Sequence, residues 1–556
     1  MILRFPLRAK AIFPSPVPNF TRPNLKHPDR FRWLFLLVAA VVLFVGVSTF
    51  HIPGKGFSAL LTFGERHSAR YLAEVDRKTV FIMPESDGYD SQWYAQLAVE
   101  PNLKDPRLDP AIDNLPYRAR RVLFCWTAWA LGLGQPRWTL EAFALQNLLC
   151  WLLLGALLLR WLPPHNWDNV ARWTAVMLSF GLVFSIRGAL VDGPGLLLIA
   201  CGVALAEKGR PWLAALLLGL TGLGKETCIL SGVALAQPPT NTVRDWAKVA
   251  LRGLLVVAPL ALWTAYLIHL FGHGGTNTGS ENFNLPFVDF WRKIRTIVAD
   301  WREGTHDPAY LAGDIFTVVS LAAQFLFFAL RPRWRETWWR IGAVYALLMM
   351  CLGHSVWDGY PSAAARVLLP MLLAFNLAVP RGRRWWIVLL LGNLTFFSTP
   401  NFLSQPVGIE PPIVEGPASL CGNQDEAANL TVELAGPWYR AERSMRDNWR
   451  WTHGTVEIVV RNPHPDAVAA TLAFGLNSRT PRAVQVSMAG AERWSGTVVE
   501  RRQEVVLDDL RLAPGETRIR LATDRPSEVF TDSPDRRSLA FRVLDLKLRV
   551  RRPAQP

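Results

Sequence analysis

Residues 33–50 read WLFLLVAAVVLFVGVSTF. The run carries no charge, and with modest help from its flanks it matches a hydrocarbon core of about 30 Å. Backbone N–H and C=O groups find no water in lipid, so such a run satisfies them internally as a helix. Arg4, Arg8, Lys10 and the Lys26–Arg32 cluster precede it. A basic lead of that length predicts a retained first span that starts on the cytoplasmic side, rather than a cleaved signal.

The pattern recurs along the first 400 residues. Half of the 556 residues are hydrophobic and mean hydropathy is +0.16. About twelve apolar segments stand near 33–50, 122–134, 139–160, 170–186, 190–206, 211–223, 226–236, 251–271, 309–330, 337–353, 366–380 and 385–398. Trp33, Trp138, Trp161, Trp173, Trp212 and Trp386 lie near segment ends, as interfacial anchors do. The net charge of +15 sits largely in short connectors at 208–210, 244–252, 331–340 and 381–384. Positive-inside bias explains it without a nucleic-acid partner, membrane lipids being the only polyanion required. Sidedness then leaves loops 51–120, 272–308 and 354–365 and the tail outside, which needs an odd number of crossings. The expectation is about eleven transmembrane helices, with one segment between 122 and 206 not a full span. The six cysteines show no zinc or disulfide spacing.

Beyond 398 the period changes. Residues 399–430 read as a linker, Pro-rich over 400–417. Residues 431–556 carry short β-rich runs such as Thr455–Val460, Thr471–Leu476, Ala483–Met488 and Thr517–Leu521, separated by Asn462-Pro463, Pro481 and Pro514-Gly515. They predict an antiparallel, jelly-roll-like β-sandwich.

Chemistry concentrates in the first external loop, where residues 84–94 read PESDGYDSQWY. Glu85, Asp87 and Asp90 stand within six residues, with Gly88 permitting a tight turn and Tyr89, Trp93 and Tyr94 offering aromatic surface. Carboxylates at the mouth of a membrane bundle point to function more than the same acids in a soluble loop. Glu85 and Asp87 could also share a divalent metal, Mg or Mn. A second group, Asp109, Asp113, Tyr117, Arg118, Arg120 and Arg121, opposes the positive-inside trend. Its arginine forks suit phosphate oxygens, or neutralise the upstream acids. Asp192, Lys225 and Glu226 are membrane-edge charges, either functional or closed in local Arg187–Asp192 and Lys225–Glu226 bridges. The GLGKET string at 222–227 lacks the P-loop glycine spacing and a preceding strand, so nucleotide binding is rejected. The 354–366 loop adds His354, Asp358, Tyr360 and Arg366, the last a further phosphate candidate, while loop 272–308 reads as a potential cover for substrate.

These groups fit an amphiphilic substrate that is anionic at its junction, as a polyprenyl-phosphate sugar is. Arg118, Arg121, Lys225 and Arg366 would take the phosphate. Glu85, Tyr89, Trp93, Tyr94, Asp113, Tyr117, Asp192 and Glu226 would contact substrate. One carboxylate would act as general base toward a hydroxyl acceptor on a lipid, glycan or protein. A single base opposite the leaving group implies inversion.

The pattern Gly88-Tyr89-Asp90-Ser91-Gln92-Trp93-Tyr94 with Leu97-Ala98, the stretch Leu108, Asp109, Asp113, Tyr117, Arg118, Arg121, and the Lys225-Glu226 pair together resemble a bacterial subgroup of the GT-C superfamily of polytopic glycosyltransferases. Ser91 stands where such proteins usually carry glycine. The resemblance covers roughly residues 33–400. It implies an essential first-loop acid, with Asp90 or Asp87 as the general base, and sugar transfer on the periplasmic side of the inner membrane. The tail resembles the carbohydrate-binding-like appendages of such enzymes. A transporter or flippase for a lipid-linked sugar, or a glycan-binding assembly scaffold, would share the spans. Neither needs the dense first-loop carboxylates, and a transporter usually shows internal repeats, which are not evident here.

Overall fold

The computed structural model describes residues 29–76, 78–83, 86–236, 243–272, 279–303, 308–359, 363–402, 414–423, 426–443, 448–530 and 537–551. Among these, four helices are long and apolar enough to cross a membrane: Phe31–Ser48, Pro136–Leu158, Val243–Phe271 and Tyr310–Leu330. A fifth crossing results if Trp167–Met177 and Phe180–Arg187, bent by 42° where they meet, form one broken span.

The expectation of about eleven spans is therefore corrected to four or five. The physical reason is length. The 190–206, 211–223, 337–353 and 366–380 segments become helices Asp192–Glu207, Pro211–Gly224, Thr337–Met350 and Leu369–Ala378, of 16, 14, 14 and 10 residues. At 1.5 Å per residue they reach roughly 15–24 Å, short of a hydrocarbon core. The 226–236 segment is a 3-10 helix, Glu226–Leu235, and 122–134 shrinks to Leu123–Leu131. Their apolar character serves packing against one another. Small residues allow close crossings: a Cβ at Gly219 would fall 2.7 Å from the Leu255 carbonyl oxygen, and one at Gly202 the same distance from the Leu218 side chain.

The tail is corrected too. Its main strands form two open antiparallel sheets. One orders Ala491–Val498, Arg482–Met488, Gly515–Thr523, Val456–Asn462 and Thr431–Ala435. The other orders Gln503–Leu512, Val468–Asn477, Arg542–Arg551, Asn448–Thr452 and Trp438–Arg443, with Val414–Glu415 added in parallel to Arg542–Arg551. The outermost strands of each sheet do not pair with one another, so neither closes, and the expected jelly-roll-like sandwich is not what the strands build. Alternation still places the core: Leu472, Val484, Val505 and Ile519 are buried while their neighbours along the strand face outward or sit half-buried.

The segment that positions the acidic loop is compact. Phe63–Gly64 pairs in parallel with Ile82–Met83, and the chain then turns at Gly88, whose φ is +71°. That left-handed conformation favours glycine, and the space demands it: a Cβ there would fall 2.5 Å from the Thr62 carbonyl oxygen. The Tyr89 N–H donates to that carbonyl at 3.0 Å. The helix Ser91–Val99 follows, with every residue buried.

Candidate active site

Asp90 occupies the position just before the Ser91–Val99 helix, yet its side chain makes no capping bond. The carboxylate instead meets the Arg118 guanidinium, Nη1 to Oδ1 at 3.0 Å. Arg118 is buried, and its fork also grips Asp113 through Nε at 2.9 Å and Nη2 at 2.7 Å. One arginine thus spans two acids, each with a side chain 38% exposed. Bidentate pairing of this kind fixes direction as well as charge. Asn114 caps the short Leu115–Arg118 turn by accepting the Tyr117 N–H at 3.0 Å, which sets where Arg118 begins.

Asp87 points elsewhere. Both its oxygens accept from Arg66 Nη1, at 3.0 and 2.8 Å, and its side chain is 65% exposed. Glu85 lies outside the described residues, as does Tyr360. Among the described residues, no group of three or more His, Cys, Asp or Glu is arranged to hold a metal ion.

Gln92 holds the loop from beneath. Its Oε1 accepts the Gly64 N–H at 3.1 Å and its Nε2 donates to the Asp87 carbonyl at 2.9 Å. The Ser91 hydroxyl lies 2.6 Å from that of Thr62 and donates to the Leu61 carbonyl at 2.8 Å. Trp93 is buried, edge-on to His67 and Tyr71, and therefore packs the loop rather than facing outward.

Arg121 forms the next link. It donates to Glu226 at 3.0 Å, to the Tyr94 hydroxyl at 3.0 Å and to the Tyr117 hydroxyl at 3.2 Å. The guanidiniums of Arg118, Arg120 and Arg121 stand 5.3–5.5 Å from the Tyr117 ring centre. Burial pushes the Tyr94 phenol up, against the pull of Arg121 and Arg118. Burial also pushes the Glu226 carboxyl up, but Arg121 outweighs it and holds the group below the usual carboxylate range.

A third link is centred on Asp192, which is buried. It pairs with Lys225 Nζ and accepts from Arg366 Nη1 at 3.3 Å. Burial raises its pKa, yet the two cations outweigh that and hold it at about 2. Arg366 also donates from Nη2 to the Tyr89 hydroxyl at 2.7 Å, and its guanidinium lies over the Phe184 ring at 5.6 Å. Among the described residues, its Nε is buried without a hydrogen-bond partner.

The local bridges considered from sequence are therefore not formed. Lys225 turns to Asp192 and Glu226 to Arg121, while Arg187 lies over the Phe50 ring at 5.4 Å. Arg118, Arg121, Lys225 and Arg366 are each matched to an acid, and the sequence-predicted residues Asp90, Tyr89, Tyr94, Asp113, Tyr117, Asp192 and Glu226 belong to this linked array. Sequence reasoning missed Arg66 and Phe184. Arg66 lies 21 residues before the acid it binds, and no local spacing marks it.

No protein-family profile matches the chain, and no curated protein matches it. Among solved structures it is similar to the arabinosyltransferase EmbB from Mycobacterium smegmatis, with 9% identity and a TM-score of 0.38. The match covers 96% of this chain and 66% of that one. At that distance the likeness carries no argument about chemistry.

Proposed function

We propose that this protein is a membrane glycosyltransferase of the GT-C type, of unassigned subgroup. It moves a sugar from a polyprenyl-phosphate donor to a hydroxyl acceptor, with inversion, on the outer side of the membrane. The observation that carries the reading is the pairing of a part-exposed, uncapped Asp90 with the buried Arg118, in an array that ends at the unpartnered Nε of Arg366.

Asp90 is the base. Its carboxylate is accessible, while Arg118 and Asp113 fix its direction. The acceptor O–H gives its proton to a carboxylate oxygen as the acceptor oxygen bonds the anomeric carbon. The bond from that carbon to the phosphate oxygen breaks, and polyprenyl phosphate leaves with the electron pair. The leaving group needs positive charge rather than an acid. Arg366 suits it best, because its free N–H can donate without breaking an existing bond, and a buried orphan donor is costly until satisfied. Tyr89, half-buried and hydrogen-bonded to Arg366, would contact the substrate beside that phosphate. Asp87 has both oxygens engaged by Arg66, where Asp90 gives Oδ1 to Arg118, and its part is to shape the loop.

The test is purified protein with polyprenyl-phosphate sugars. Asp90→Asn should lower transfer by about 10²–10⁴, the usual contribution of a positioned base, and Asp87→Asn should retain most of it. Equal activity in both variants overturns the assignment.

A further inference from the structure

The helix Val288–Glu303 carries two faces that answer to different partners. Asp289, Lys293 and Ile297 form the buried one. Through it the helix is tied to a membrane span: Lys293 Nζ pairs with Asp314 at 2.6 Å, and Asp314 lies within Tyr310–Leu330. Phe290 and Trp357 pack edge to face at 5.4 Å, Phe287 and Phe325 at 5.3 Å, and Arg292 pairs with Asp358. The helix is thus held beside the span over a stretch that runs from Asp314, near the 310 end, to Phe325.

The other face is uncovered among the described residues. Val288, Trp291, Arg295, Val298 and Arg302 follow the 3-4-3-4 spacing of one helical stripe, and all are exposed. Trp301 and Arg292 flank it, with Phe283 and Leu285 exposed just before the helix. Trp291 and Trp301 are 58% and 72% exposed, a poor state in water for two indoles. Among the side chains described, no carboxylate shares the stripe: Asp289 is buried and Asp300 is half-buried.

We propose that this stripe is a membrane-surface site, seated on the anionic headgroups of the bilayer that Tyr310–Leu330 crosses. The chemistry selects that occupant. Indole rings favour the headgroup level, where one edge is apolar and the other wet. Arginines between them meet lipid phosphates, and an outward face with cations alone complements an anionic surface. Attachment to a span places the stripe beside lipid without a search. The inference does not depend on the catalytic reading.

The test uses the full chain in lipid nanodiscs, with the photo-crosslinking residue p-benzoylphenylalanine at Val298, and separately at Val506, an exposed position in the sheet region. After illumination, mass spectrometry should find lipid adducts at position 298 and none at 506. Yield should be severalfold higher in phosphatidylglycerol than in phosphatidylcholine. Adding R295Q and R302Q should lower the phosphatidylglycerol adduct by at least about fivefold, since each arginine near an anionic surface contributes a comparable factor. Crosslinks from 298 to this chain or a second copy, or equal lipid yield at both positions, overturn the proposal. Equal yield in the two lipids overturns its electrostatic part, and that comparison needs only the native arginines.

Discussion

Asp192→Asn removes a charge that two buried cations share. Lys225 and Arg366 both reach the carboxylate, Arg366 at 3.3 Å, and none of the three side chains is more than about a tenth exposed. At that separation, with an effective dielectric near 20, one such pair is worth about 5 kcal/mol before desolvation is counted. Breaking a buried pair by deleting one partner costs about 3–5 kcal/mol, because the other charges stay buried and unmatched. That is the loss expected for Asp192→Asn, read as unfolding free energy by tryptophan fluorescence in mixed micelles of increasing denaturing-detergent content. Adding Lys225→Met returns the trio to its original net charge and should recover at least half. The pH dependence follows from sign. A carboxyl held at about 2 when folded, against about 3.8 when unfolded, adds stability that is complete above pH 4 and is lost as pH falls toward 2. The wild type should therefore lose roughly 2 kcal/mol more than Asp192→Asn across that window. A single variant within 1 kcal/mol of wild type, or a double variant worse than the single, would refute the reasoning.

Two further perturbations separate frame from chemistry. Gly88→Ala forces a Cβ against the Thr62 carbonyl at a positive φ, and should destabilise the protein by about 1–3 kcal/mol in the same unfolding measurement. Trp93→Ala empties a buried site beside His67 and Tyr71, and should cost about 3–5 kcal/mol. Retention of full stability by Trp93→Ala would show that the ring is free to stack on substrate.

What the sequence made legible was local. GYDSQWY marked a glycine turn with an acid behind it, and the structure puts Gly88 and Asp90 in those places. The span count failed because hydropathy does not distinguish lipid contact from protein contact. Pro211–Gly224 is apolar all round, yet it is a 14-residue helix packed against Asp192–Glu207 and Val243–Phe271. Charge partners failed for another reason. Adjacency suggested Lys225 with Glu226, but a backbone extended at Lys225 (φ −158°) sends neighbouring side chains to opposite sides, toward Asp192 and Arg121. Trp93 was misread as open surface because its helix is buried on every side, which a nine-residue window cannot show.

The most direct test of the central claim is transfer from a polyprenyl-phosphate sugar by Asp90→Asn beside wild type, with Asp87→Asn as the internal control. The account predicts a loss of about 10²–10⁴ at position 90 and near-normal turnover at 87. Undiminished transfer by Asp90→Asn would contradict it.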